Sequence, residues 1–178
     1  MKLLRTIRLD PSDTFVFERA AEPGEIAVSG AFVFWDDDVA ALTGKRRSAF
    51  RSGFLGVDSL GWSTLVQIVE AKDDDLASIV KKLAPRLVEH FGAPDVATAS
   101  RAAEEEVSFA ESLCDHPADT LVAVHRTVEH GEIREAFRTL RPRGGPKPLR
   151  AFSFLEVEDG EAPAEEVDLV GLAKDSRK

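Results

Sequence analysis

The sequence predicts an α+β domain, a mostly antiparallel sheet of about six or seven strands packed with three helices. Three observations carry this. Two helical segments follow one another with no strand between them, so they pair as an antiparallel αα-hairpin. Two β-rich runs, Thr120–Glu129 and Glu132–Leu140, are divided only by His130-Gly131. Strands and helices come in groups rather than in βαβ alternation, which excludes a doubly wound sheet. The 178 residues suffice for one domain with its own core and leave little room for a second.

The elements follow in order. Lys2–Leu9 alternates polar and apolar and reads as a strand, closed by the turn Asp10-Pro11-Ser12-Asp13. Thr14–Glu18 reads as a second strand and Glu22-Pro23-Gly24 as another turn. Ile26–Trp35 is a third strand, with Ile26, Val28, Phe32 and Phe34 on one face and Val33 and Trp35 on the other. Asp36-Asp37-Asp38 supplies capping and first-turn acids for a helix that runs to about Ser52. Gly53 to Gly61 is a glycine-bearing loop, and Trp62–Ala71 a fourth strand. Asp73-Asp74-Asp75 opens a second helix, which stops at Gly92 after Phe91. Pro94 starts the third helix at its first position, and the helix ends near Asp115.

His130-Gly131 suits a two-residue type I′ turn. That turn fixes the register, pairing Val124 with Phe137, Val122 with Thr139, and Arg126 with Glu135. Ala151–Val157 reads as a last strand. The domain therefore spans residues 1–157, and 158–178 is an acidic, loosely ordered tail.

Charge and composition narrow the function classes. A net charge of −9 argues against a nucleic-acid partner, whose phosphates need a basic footprint. No apolar run reaches the ~18–20 residues of a membrane span. Residues Met1–Asp10 alternate too early for a signal-peptide core. A single cysteine, Cys114, excludes an internal disulfide. Together these read as a cytoplasmic protein. Two basic clusters, Lys45/Arg46/Arg47/Arg51 and Arg134/Arg138/Arg141/Arg143/Lys147/Arg150, read as solvated faces with local salt bridges.

Motifs for catalysis fail on spacing. Thr43-Gly44-Lys45 lacks the earlier glycine of a phosphate loop and lies inside a helix. Gly56-Val57-Asp58-Ser59-Leu60-Gly61 sets its first glycine one position too early for a nucleophile elbow. Cys114, Asp115 and His116 are consecutive, which suits neither a helical metal site nor an activated thiolate, so no cofactor or metal is expected.

Two titratable residues fall on helix faces that should be apolar. Glu106 projects among Ala99, Ala102, Ala103, Ala110 and Leu113, and His90 shares a face with Leu76, Ile79, Leu83 and Leu87. A carboxylate on such a face must be paired, protonated or lining a cavity. Arg126, itself on the apolar face of the hairpin, is the candidate partner for Glu106. Along paired helices His90 and Glu106 lie too far apart to touch. Glu106, Arg126 and His90 are therefore the candidate binding residues, either as a buried charge cluster that holds the fold or as polar anchors of a ligand pocket between helices and sheet.

The runs Ala31-Phe32-Val33-Phe34-Trp35-Asp36, Phe50-Arg51-Ser52-Gly53-Phe54-Leu55-Gly56, Gly61-Trp62-Ser63-Thr64 and Arg134-Glu135-Ala136-Phe137-Arg138-Thr139-Leu140 resemble a bacterial domain family of unknown function. The resemblance covers most of the chain apart from the tail. It implies no activity and no catalytic residue. It implies an association with formate-dehydrogenase accessory and cofactor-attachment (biotin or lipoate ligase-like) systems. The combined expectation is a non-enzymatic accessory or protein-interaction protein, with a protein partner or a homodimer. The alternative is a small-molecule-binding protein or enzyme with a buried Glu/Arg pocket.

Overall fold

A computed structural model describes residues 1–142 and 155–158. Its strands are β1 (Lys2–Ile7), β2 (Ile26–Val28), β3 (Phe54–Gly56), β4 (Trp62–Ser63), β5 (Leu65–Glu70), β6 (Leu121–Glu129), β7 (Glu132–Pro142) and β8 (Leu155–Glu158). They form one antiparallel sheet in the order β4-β3-β2-β1-β5-β6-β7-β8. The helices are α1 (Ser12–Val16), α2 (Gly44–Ser52), α3 (Asp73–Phe91) and α4 (Val96–Ser112). The α+β class, the antiparallel order and the pairing of α3 with α4 match the sequence reading.

One hydrophobic cluster joins sheet and helices. Leu4, Val66, Ile68, Val122 and Val124 from the sheet are buried with Leu83 and Leu87 of α3 and Ala99, Ala103, Val107 and Ala110 of α4. The helices end where local chemistry says they should. Gly92 takes a left-handed φ of 75° after α3, a conformation a side chain would strain. Asp95 caps α4 by accepting a hydrogen bond from Thr98 N at 2.7 Å. That places the helix start after Pro94 rather than at it.

The first third of the chain departs most from expectation. Thr14–Glu18 is not a strand: Ser12–Val16 is a short helix, held by Phe17 N donating to Asp13 O and by the Asp13 carboxylate accepting from Thr64 Oγ1 at 2.5 Å. The expected strand Ile26–Trp35 stops at Val28. Gly30 turns left-handed at φ 78° and Ala31–Phe34 coils into a 3-10 turn, so Trp35 points into water rather than onto a sheet face. The Asp36–Asp38 run caps no long helix. Val39–Ala41 is a separate 3-10 turn and α2 starts from Thr43. The glycine loop holds strand β3, and Thr64 divides the expected Trp62–Ala71 strand into β4 and β5. The basic loop from residue 143, the start of the last expected strand and residues 159–178 of the expected tail lie outside the described residues.

Candidate functional site

Arg126 is the largest fully buried side chain, at 1% exposure. Strand periodicity puts it there. Val122, Val124 and Arg126 are alternate residues of β6 and share its inward face. The turn between β6 and β7 then decides what stands opposite. His130 and Gly131 have φ of 53° and 81°, both left-handed as a type I′ turn requires, and the resulting register pairs Arg126 with Glu135.

A buried guanidinium needs five acceptors. Nε donates to Glu135 Oε1 at 2.8 Å. Nη1 donates to Phe50 O at 3.0 Å and Gly53 O at 2.8 Å, carbonyls at the C-terminal end of α2, where a cation also meets the negative end of the helix dipole. Nη2 donates to Ser29 O and, at 3.1 Å, to Ser29 Oγ. The Ser29 hydroxyl donates in turn to Glu135 Oε1. Gly53 has to be glycine for this. A Cβ there would lie 2.7 Å from the Trp62 ring and 2.8 Å from Ala49 O. The end of β2, the end of α2, β6 and β7 are thus tied to one cation.

Glu106 reaches the same charges from α4. It is half-buried, and its Oε2 is buried without a hydrogen-bond partner among the described residues. Burial, chiefly, and the like charge of Glu135 push its carboxyl up to about 7. Arg126 opposes that rise, and Glu105 adds to it. Burial pulls the Arg126 guanidinium below its ordinary value, while Glu135 holds it up. An arginine stays charged regardless, so the node keeps its cation while burial holds the Glu106 carboxyl toward its neutral form.

His90 stands apart from these residues. It lies exposed near the end of α3, 3.7 Å from Glu89 and edge-on to Phe91. Helical phase put it on the apolar stripe, but the helix ends one residue later, at Phe91, and leaves nothing to cover it. Cys114 is a buried thiol that donates to Ala110 O, and burial pushes it up to about 11, away from the thiolate form. Of the basic clusters, Arg46 is bonded to Asp37 and lies over the Phe34 ring, and Arg134 meets Glu129 and Glu132. Lys45, Arg47 and Arg51 are exposed on α2.

Ser29 and Glu25 gave no local sign in the sequence. Ser29 bridges both partners of the ion pair. Glu25, 8% exposed, accepts from Glu22 N, Asp58 N, Ser59 N and Ser59 Oγ at 2.5–2.8 Å and holds the turn between β3 and β4. A Cβ on Gly56 would fall 2.5 Å from its carboxyl carbon. Both residues flank β2 rather than lie within it, so periodicity does not reveal either one.

Two of the surface cavities among the described residues lie away from the node. One of about 450 Å³ is lined by Met1, Lys2, Glu70, Glu111, Ser112, Cys114 and Asp115. One of about 100 Å³ lies beside Leu9 and Asp13. Neither is lined by Glu106, Arg126 or His90. No helix among the described residues is long and apolar enough to cross a membrane.

The profile of a protein family described as a family of unknown function (DUF6505) matches residues 1–153, and the chain belongs to this family. No curated protein and no solved structure gives a significant match.

Proposed function

We propose that this member of the DUF6505 family is a non-enzymatic accessory protein of the cytoplasm that acts through its surface, on a protein partner or as a homodimer. The observation that carries this reading is the closed node. Every N–H of Arg126 is spent on the chain's own oxygens, so the most distinctive charged group of the interior has none left for a substrate. Large apolar side chains instead face water: Trp35 is 84% exposed, Phe15 72% and Leu9 62%. Tryptophan is one of the residue types enriched among the anchors of protein contacts. The association with formate dehydrogenase or cofactor-attachment systems rests on the family resemblance and supplies the first partners to try.

A photo-crosslinking residue at position 35, with a second at the exposed Ser78 as control, tests the reading in cells. One dominant protein captured from position 35 and not from 78 is the expected result. Identical capture from both positions overturns it. A second reading, a small-molecule site at Glu106 and Arg126, draws on the unpartnered Oε2 of Glu106. It predicts that Glu106→Gln loses a ligand that co-purifies with the wild type.

A further inference from the structure

We propose that the open edge of β7 is a self-pairing surface, on which a second copy of this chain adds its own β7 antiparallel across a two-fold axis at Glu135. The two ends of the sheet are finished differently. At one end β4 is sealed, because Trp62 N donates to Arg19 O at 2.9 Å and Trp62 O accepts from Ala21 N at 2.8 Å. At the other end β8 reaches only Thr139–Pro142. Glu132–Arg138 of β7 has no strand beside it on that side among the described residues. This stretch holds no proline, and no bulge breaks its register with β6, so its backbone does not block another strand.

The hairpin decides which groups face outward. Glu129 and Glu132 flank a two-residue turn and exchange ladder bonds. Bonding then alternates along the strand. Arg134, Ala136 and Arg138 turn their N–H and C=O toward β6, while Ile133, Glu135 and Phe137 turn theirs to the open edge.

The side chains of this stretch are complementary to themselves. Antiparallel pairing about Glu135 sets Glu132 opposite Arg138 of the second copy, Ile133 opposite Phe137, and Arg134 opposite Ala136. Arg134, Ala136 and Arg138 are exposed, and Arg138 has no ion pair among the described residues until this pairing supplies one. On the other face Ile133 and Phe137 are half-buried, and Phe109 of α4 stands edge-on to Phe137 at 5.8 Å with 39% of its surface exposed. A second Ile133 arriving beside Phe137 covers that aromatic pair. The two Glu135 carboxylates meet at the axis, each already bonded to its own Arg126 at 2.8 Å. Charge selects the register. An axis at Ala136 sets Arg134 against Arg138, and an axis at Arg134 sets that arginine against itself. The pairing is independent of the contact proposed at Trp35.

Analytical ultracentrifugation of the full chain over a range of concentrations tests the edge. The expected mass doubles as concentration rises, and amide exchange at Ile133, Glu135 and Phe137 is slower in the dimer than in the monomer. Glu132→Arg and Arg138→Glu are each expected to raise the dissociation constant roughly tenfold, since the axis repeats the like-charge pair twice. The double variant is expected to recover the wild-type constant. A monomer at every concentration, single variants that associate as the wild type does, or a double variant no better than the singles overturns the proposal. So does slow exchange of those three amides in the monomer, which assigns the edge to another part of the same chain.

Discussion

Glu25 and Glu106 are two carboxylates drawn into the same protein, and they are treated in opposite ways. Glu25 is the more buried, yet four hydrogen bonds saturate its oxygens, two of them from the backbone of Asp58 and Ser59. Glu106 is less buried and has a buried oxygen with no partner among the described residues. Depth is therefore the lesser determinant of what a buried charge costs. The supply of donors decides it, because water's hydrogen bonds must be replaced one for one. The loop around Glu25 is built of amides aimed inward. The node around Glu106 gives its donors to Glu135 and to carbonyl oxygens.

Breaking the node has the largest expected effect. Arg126→Met leaves Glu135 buried without its cation and should cost about 3–5 kcal/mol, read from denaturant midpoints. A loss under about 1 kcal/mol contradicts the role given to Arg126.

Next comes pH. Glu106 has a folded value above its unfolded one, so its contribution to stability is complete below about 4.5 and is lost as pH rises through about 7. Wild-type stability should fall by on the order of 2–3 kcal/mol over that span, and Glu106→Gln should be the more stable protein at pH 8. Thermal unfolding across the pH series shows whether the two curves converge in acid.

Glu25→Ala sharpens the comparison from the other side. It strands the amides of Glu22, Asp58 and Ser59 and should cost about 2 kcal/mol, and the alkaline fall set by Glu106 should remain. The smallest effect is expected of His90→Ala, within about 0.5 kcal/mol, because that ring is exposed.

The sequence made the hairpin and its ion pair legible because the evidence there is local. The turn residues fix the register, and the register brings Arg126 opposite Glu135. The position of Glu106 on the apolar side of α4 was legible from helical period alone. The first third was not, because its conformation is set from a distance. Asp13 is bonded to Thr64, fifty-one positions on, and one left-handed residue at Gly30 ends a run that reads as strand throughout. His90 failed for the converse reason. Its helical phase was right, but phase says nothing of whether another element reaches that far.

The bonds of Arg126 also bear on the order of folding. Its acceptors outside the hairpin lie 97, 76 and 73 positions away along the chain. Closing spans of that length is slow compared with forming a two-residue turn. The hairpin can therefore zip while the guanidinium is still hydrated. That side chain becomes dry only once the end of the first half of the sheet and the end of α2 have both arrived, so its desolvation marks the moment when the two halves of the chain have found each other.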